Sequence, residues 1–232
     1  MRIYIGSEYC FHLFPDEDQL TGIIEKAKQE GLSLSFNTSI LHQTQLDAAR
    51  RRLDVISTLC PGAEIIANDF GMLNMLQPYR NTLIPVYGTL LNRFRRDTRM
   101  KWKAAYGEKG HLLSENALND PAFLSFLSSL GVRRFEYAAG TKMSLPEGKK
   151  SLHFPFYPTN VSAYCPLKAY IESGSRGMQA ESTSCPAYCE NNAFLYPEPL
   201  RMIHRMRGIL AAEQNFPDEA YLCGFDRLVF NF

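Results

Sequence analysis

The sequence lacks the features that mark membrane proteins and secreted proteins. It contains no run approaching the roughly 20 apolar residues of a membrane-spanning helix, and its first residues form neither an apolar signal core nor a small-residue cleavage site. The formal net charge is only +1, so no overall attraction to nucleic acid or to a membrane surface follows. We therefore expect a soluble, cytoplasmic protein without membrane insertion.

Familiar catalytic and nucleotide-binding motifs are also missing. No G-x-G-x-x-G follows the first predicted strand, and neither a Walker-type loop nor an H-E-x-x-H occurs. The histidines lie outside recognisable catalytic motifs. His42 follows a predicted strand and is a weak candidate for a general base. His153 lies within a strand and is expected to be a hydrogen-bonded core or rim residue.

The sequence does contain a recurring junction of helix, glycine and strand. It occurs at Gly31, Gly62, Gly131 and Gly224, where each glycine is expected to end a helix in the left-handed conformation. The segments that follow are rich in β-branched and aromatic residues, which predicts strands. This alternation predicts βαβ units arranged around a parallel sheet.

Seven strands are predicted, and the chain length suits a single domain. The strands are "RIYIG", "LSLSFN", "AEIIAN", "TLIPVYG", "RRFEYA", "SLHFPFY" and "RLVFN". Helices are predicted near 15–30, 43–60, 70–79, 119–130 and 198–214. We predict an α/β fold, an incomplete TIM-type (β/α) barrel spanning 1–232, with an open doubly wound sheet as the alternative. Residues 140–196 are expected to form an irregular, cysteine-bearing loop region after strand six.

In a barrel, the chemistry lies at the carboxyl ends of the strands. The residues expected there are Glu8, Cys10, Asn37, Asn68, Asp69, Tyr87, Glu136 and Asn160. Asp69 is a weak catalytic candidate, and it equally fits the N-cap of the helix that follows. Glu136 is a second weak candidate. Its carboxylate requires a partner if it is buried, and Arg133 and Arg134 are close to it in sequence.

A basic stretch at residues 92–103 interleaves arginine and lysine with Phe94 and Trp102. It fits a phosphate or RNA contact, because cations follow a nucleic-acid backbone and aromatic rings stack on bases. A solvated loop is the simpler interpretation. Arg93, close to the end of a strand, is a weak candidate for bidentate binding of a carboxylate substrate. RNA and a small molecule are therefore both candidate ligands.

Two of the six cysteines have ordinary surroundings. Cys60 and Cys223 each end a predicted helix, and we expect both to be small core hydrophobes. Structural disulfides are rare in the cytoplasm, so closely spaced cysteines there more often bind metal or perform redox chemistry.

The other four cysteines are Cys10, Cys165, Cys185 and Cys189. They follow the first and sixth predicted strands, so a barrel would bring all four to the same rim. Four thiolates hold either tetrahedral zinc or an iron–sulfur cluster. Structural zinc sites usually use two close pairs, whereas only Cys185 and Cys189 are close here, and this spacing favours a cluster. Zinc and ordinary reduced thiols are the alternatives.

Several segments together resemble the collagenase-like peptidase family (unassigned peptidase family thirty-two). They are "IYIGSEYC", "EIIANDFGML", "PVYGTLLN", "GVRRFEY" and "YCPL" with the closing C-x-x-x-C. The likeness is strongest to its UbiU/UbiV-type iron–sulfur barrel proteins of oxygen-independent ubiquinone biosynthesis. The resemblance implies that one 4Fe-4S cluster is ligated by Cys10, Cys165, Cys185 and Cys189. It also implies oxygen-independent hydroxylation-type or electron-transfer chemistry, with a zinc-binding structural protein or a peptidase as alternatives.

The chain departs from that family at its beginning and in its cysteine spacing. It lacks the strand and helix that usually precede the "IYIG" strand, and nineteen residues separate Cys165 from Cys185. A missing strand would leave an exposed sheet edge, which proteins usually cover. We therefore expect a protein partner or a second copy of the chain at that edge.

Overall fold

A computed structural model describes most of the chain. The described residues are 1–92, 107–109, 117–139, 145–162, 164–174, 185–197, 202–205, 207–213 and 216–231. Arg93 and the rest of the basic stretch beyond residue 92 lie outside them, so the RNA and carboxylate contacts predicted there stay predictions.

Seven strands form the main sheet. They are β1 Arg2–Gly6, β2 Ser33–Asn37, β3 Glu64–Ala67, β4 Ile84–Tyr87, β5 Arg134–Ala138, β6 Lys149–Phe154 and β11 Arg227–Phe230. Their order in the sheet is β1-β2-β3-β4-β5-β6-β11, and every pairing is parallel. The predicted α/β class and the parallel sheet of seven strands are thus confirmed.

The described residues form six α-helices. They are α1 Glu17–Gln29, α2 Leu46–Leu59, α3 Phe70–Met75, α4 Pro121–Ser129, α5 Pro166–Ser173 and α6 Glu219–Leu222. Four of the six helices, α1 to α4, match predicted ones and connect β1 to β5, whereas α5 lies in the segment predicted to be irregular. The predicted start of α4 is confirmed, because the Asp120 side chain accepts a hydrogen bond from the backbone N–H of Ala122. None of the helices in the described part of the chain is long and apolar enough to cross a bilayer.

Three of the four predicted glycine stops have left-handed backbone conformation. Gly31, Gly62 and Gly131 have φ values of 65°, 84° and 86°. Gly224 does not share this conformation. An added Cβ there would lie 2.4 Å from the Leu145 side chain, so close packing explains the glycine at that position instead.

The sheet curls so that side chains from distant strands meet on its inner face. Arg227, on the last strand of the sheet, donates to the Tyr4 hydroxyl of β1 at 2.8 Å and to the Glu64 carboxylate of β3 at 2.7 Å. Strands that are not neighbours can share such contacts only when the sheet bends around them. The sheet is therefore an open, curled half-barrel, with helices packed on its outer face.

A second, smaller sheet replaces part of the predicted loop and helix structure. Its strands are β7 Phe156–Val161, β8 Phe194–Tyr196, β9 Met202–Arg205 and β10 Gly208–Ala212, antiparallel in the order β7-β10-β9-β8. The helix predicted near 198–214 is therefore wrong. A short apolar run is compatible with either a helix or a strand, and here hydrogen-bonded pairing with β7 stabilises the strand conformation of β10. Residues 140–196 are likewise not irregular throughout, because β6, β7, α5 and β8 lie within them.

The second sheet packs against the carboxyl ends of the barrel strands. Tyr9, which follows β1, and Leu90, which follows β4, form a small buried cluster with Leu210 of β10. Phe156 and Val161 of β7 pack against this cluster. The end of the half-barrel where chemistry is expected is therefore partly covered by protein.

The main sheet has open edges at β1 and β11. Among the described residues these two strands do not pair with each other. The expectation that a partner covers the edge at β1 stays a prediction.

Candidate functional site

Four thiols that are far apart in sequence lie close enough for their charges to interact. We call Cys10, Cys165, Cys185 and Cys189 the thiol site. Burial raises the pKa of Cys189 to about 11, with further contributions from the charges of the other three thiols. Burial also raises the pKa of Cys10, and the charges of Cys165 and Cys185 act in the same direction. The four sulfurs are thus within electrostatic reach of one another, near the loop that follows β1.

Backbone N–H groups donate to the sulfurs of this group. Cys165 is the N-cap of α5, and its sulfur accepts from the Lys168 N–H at 3.5 Å. Cys10 precedes a short 3-10 helix at Phe11–Leu13, and a hydrogen bond from the His12 backbone lowers the pKa of its thiol. Backbone N–H donors of this kind also hydrogen-bond the ligating sulfurs of metal sites.

The segment carrying Cys185 and Cys189 is held against α5. Cys189 lies in a 3-10 helix at Tyr188–Glu190, which Ala187 enters in the left-handed conformation with φ 56°. The Tyr188 hydroxyl donates to the Glu172 carboxylate of α5 at 3.4 Å. These contacts bring the close pair of cysteines beside the helix that Cys165 caps.

The remaining two cysteines are elsewhere. Cys60 is half-buried at the end of α2, where burial raises its pKa and the nearest charges are those of Lys28 and Arg2. Cys223 is exposed at the end of α6, so the expectation of a core position is wrong for it. Neither contributes to the pKa values of the thiol site.

The thiol site suits an iron–sulfur cluster by the number and the chemistry of its donors. Four thiols are present, two of them receive backbone N–H donors, and Cys10 and Cys189 are buried. No three His, Cys, Asp or Glu side chains in the described ranges are arranged to hold a metal ion as they stand. The thiol site is therefore a grouping of ligand side chains and not a completed coordination sphere.

A buried carboxylate lies two residues before Cys10. Glu8 accepts hydrogen bonds from the Thr89 hydroxyl, in the loop after β4, and from the Tyr9 hydroxyl. Burial and the charge of Glu8 raise the pKa of Tyr9 well above its ordinary value. These bonds tie the loop after β1 to the loop after β4, and they fix the backbone that leads into Cys10.

An acid–base pair occupies the interior of the half-barrel. Glu136 of β5 is completely buried, and its carboxylate lies 2.7 Å from Nε2 of His153 on β6. The Tyr4 hydroxyl donates to the same carboxylate at 3.3 Å. The predicted partners Arg133 and Arg134 are wrong, because β6 presents His153 toward Glu136. The prediction that His153 is a hydrogen-bonded core residue is confirmed.

The Glu136–His153 pair makes stability depend on pH. Burial lowers the pKa of His153, but the hydrogen bond and charge of Glu136 outweigh it and the net change is upward from 6.5. The stabilisation is therefore complete below about pH 6.5 and is lost as pH rises through the folded-state pKa. We expect urea unfolding to show this decline in the wild type but not in H153Q. H42Q, on the surface, should keep the wild-type slope; equal slopes in H153Q and wild type would contradict the assignment.

The other residues predicted at the strand ends have structural positions. Asp69 is the N-cap of α3, accepting from the backbone N–H groups of Met72 at 2.7 Å and Leu41 at 3.1 Å. Asn68 donates to the Asn37 side chain at 2.9 Å and so links the ends of β3 and β2. The N-cap interpretation of Asp69 is thus the one the structure bears out.

Three further predicted positions contribute little to a common site. His42 is exposed and caps a 3-10 helix at Gln43–Gln45. Tyr87 is buried, and its hydroxyl donates to the Leu91 carbonyl at 3.1 Å. Asn160 is exposed on β7, in the second sheet.

Sequence reasoning missed a charged layer at the opposite end of the half-barrel. The first residues of β1, β3, β5 and β11 are Arg2, Glu64, Arg134 and Arg227. Glu64 accepts a bidentate pair of hydrogen bonds from Arg227 and lies within 3.4 Å of the other two guanidinium groups. The signal was a charged residue at the first position of each of four mostly apolar strands. These four strands alternate in the sheet order, and side chains from alternate strands form the layers of a barrel interior.

Comparison with known proteins yields little. One solved structure, that of the U32 peptidase Mk0906, aligns with a TM-score of 0.44 and 13% sequence identity, covering 99% of this chain and 82% of that one. No protein-family model and no curated protein matches the sequence. A match at this level assigns no activity to this chain.

Proposed function

We propose that this protein is an iron–sulfur protein whose thiol site ligates one 4Fe-4S cluster. What supports the proposal is that four thiols from three separate segments of the chain lie within electrostatic reach of one another. Cys10 comes from the loop after β1, Cys165 from the start of α5, and the close pair from the 3-10 segment that packs on α5. A shared cluster would give these distant segments a common ligand.

The thiol site has the polarity that a buried cluster needs. The N–H groups of Lys168 and His12 point at two of the sulfurs. Hydrogen bonds of this kind stabilise ligating thiolates and tune their electronic properties. The second sheet covers this end of the half-barrel through its contact with Tyr9, which limits the access of water to Cys10.

The proposed chemistry is one-electron transfer, which a bound cluster would supply by cycling between two oxidation states one electron apart. With four protein thiolates as ligands, a bound cluster would have no open iron, so it would exchange electrons with a partner and would not ligate a substrate directly. The buried Glu136–His153 pair lies in the same half-barrel, and the charge of Glu8 contributes to raising the pKa of His153. Glu136 and His153 share a proton in their hydrogen bond, so they could supply or take up a proton at a step in which charge moves inside the half-barrel.

Anaerobic purification tests the proposal. We expect a brown protein with about four irons and four inorganic sulfides per chain, broad visible absorbance that bleaches on reduction, and a paramagnetic reduced state. Adding iron and sulfide to the apoprotein under reducing conditions should restore these signals. A colourless protein with one tightly held zinc would instead support a zinc-binding structural protein. A metal-free protein that cannot be reconstituted would contradict both.

A further inference from the structure

A buried arginine beside the thiol site has an unused hydrogen-bond donor. Arg207 immediately precedes β10 and is only 8% exposed. Its Nε is buried and has no hydrogen-bond partner among the described residues. Arginine is rarely buried without an acceptor, because removing a guanidinium from water costs several kcal/mol unless an anion compensates it. The position therefore calls for an acceptor or an anion beyond those already described.

The backbone places Arg207 between the segments that carry two of the proposed ligands. Its neighbour Gly208 packs against the Tyr9 ring so closely that an added Cβ would lie 2.9 Å from the ring. Tyr9 directly precedes Cys10. On the other side, the Arg207 carbonyl accepts from the Ser162 N–H at 2.8 Å, three residues before Cys165.

The charge of Arg207 acts on the thiol site. Burial raises the pKa of Cys10 and the charge of Arg207 partly offsets that rise, so the guanidinium is within electrostatic reach of that sulfur. A guanidinium keeps its charge at every pH at which proteins are folded. Arg207 is thus a fixed positive charge at the edge of a site whose other groups are potential anions.

We propose that Arg207 is the charge-compensating residue of the thiol site, donating its Nε–H to the sulfur atoms of a bound cluster and stabilising the reduced state. The inference rests on the proposed function. A 4Fe-4S cluster with four thiolates carries a net charge of about −2 when oxidised and gains one more negative charge on reduction. A buried cation beside it favours the more negative state, so it raises the reduction potential.

Redox titration of charge variants tests this assignment. Wild type, R207Q, R207K and the surface control R80Q are reconstituted with iron and sulfide, and the midpoint potential is followed by electron paramagnetic resonance. In R207Q the equilibrium constant for reduction should fall about tenfold, which is a potential about 59 mV lower for one electron. R207K keeps the charge and should stay within about threefold of the wild type. R80Q should match the wild type.

The results separate this inference from the proposed function. A wild type that binds no cluster overturns the proposed function itself. A fully loaded R207Q with the wild-type potential overturns only the role of Arg207.

A titratable variant covers the case in which R207Q does not retain the cluster. In R207H the charge is present near pH 6 and lost near pH 8, on either side of the ordinary histidine pKa of about 6.5. R207H is loaded with the cluster at the lower pH, and its midpoint potential should fall across this interval. The fall should be larger than that of the wild type by the equivalent of about a tenfold decrease in the equilibrium constant for reduction. A pH dependence identical to that of the wild type would overturn the assignment.

Discussion

Alanine at any one cysteine of the thiol site is expected to abolish the visible absorbance of the reconstituted protein. Alanine cannot ligate iron, and a 4Fe-4S cluster with one ligand missing has an exposed iron that is readily lost. The measurement is the iron and sulfide content of each single variant after anaerobic reconstitution and desalting. We expect less than about a quarter of the wild-type content in C10A, C165A, C185A and C189A, an order-of-magnitude loss of cluster affinity.

The chain provides two matched controls for this experiment. C60A and C223A remove thiols that are half-buried and exposed, and neither thiol affects the charges of the site. Both should load to wild-type levels. Loss of the cluster in either control, or a full complement of iron in any one of the four site variants, would contradict the ligand assignment.

The stability of the apoproteins separates loss of a ligand from loss of the fold. Cys10 and Cys189 are buried, so their truncation removes packing and should cost about 1 kcal/mol in urea unfolding. Cys165 and Cys185 are half-buried, so their truncation should lower the free energy of unfolding by less. A variant that keeps near wild-type stability as an apoprotein but cannot hold iron has lost a ligand and not its fold.

The main sheet could be predicted from sequence because its signals are local. Helices α1, α2 and α4 are each followed by a glycine or a Pro-Gly pair, and the strand after each is short and mostly apolar. These helix ends have a direct conformational cause, because the backbone has positive φ at Gly31, Gly62 and Gly131. Parallel pairing of β1 to β5 then follows, because the crossovers between these strands pass through α1, α2, α3 and α4.

The second sheet could not be predicted in the same way. Residues 202–212 contain apolar residues at spacings that suit a helix as well as a hairpin. The strand conformation of β10 is stabilised by pairing with β7, about fifty residues earlier in the chain. Such a long-range pairing leaves no local trace, and it overrides intrinsic propensity.

The same contrast applies to the candidate site. The four cysteines could be grouped in advance because thiols are few and the barrel hypothesis places strand ends together. Arg207 could not, since it is one basic residue among several in its segment and its burial depends on Gly208 packing against Tyr9. The partner of Glu136 was missed for a similar reason, because sequence proximity favoured Arg134 and the neighbouring strand supplied His153 instead.

The second large effect is expected at the charged layer, where E64A should destabilise the fold by about 3–5 kcal/mol. The Glu64 carboxylate is buried among Arg2, Arg134 and Arg227. It also accepts from the Ser35 hydroxyl at 2.6 Å. Removing it leaves three guanidinium groups facing one another, and among the acidic side chains that the structure describes here, Asp226, which binds Arg134, remains to offset them. An uncompensated buried charge costs more than the pair contributed, so the loss is larger than that of a surface ion pair.

The pH dependence of the wild type provides an independent measure of the same interaction. Burial alone would raise the pKa of Glu64, but the hydrogen bonds from Arg227 and Ser35 and the nearby positive charges lower it below 4.5. A lowered folded-state pKa gives stabilisation that is present above the ordinary value and lost as pH falls through the lower one. Acid unfolding of the wild type should therefore include the protonation of Glu64, and E64Q should lack that contribution.

Two controls separate charge from packing at this position. E64Q preserves the side-chain volume but not the charge. Its free energy of unfolding should therefore fall by most of the amount lost in E64A. E25A removes an exposed glutamate from α1 and should change the free energy of unfolding by no more than about 0.5 kcal/mol. The measurement is urea unfolding near neutral pH. If the free energy of unfolding of E64A lies within about 1 kcal/mol of the wild-type value, the three arginines have found water or other acceptors. The charged layer would then not stabilise its end of the half-barrel.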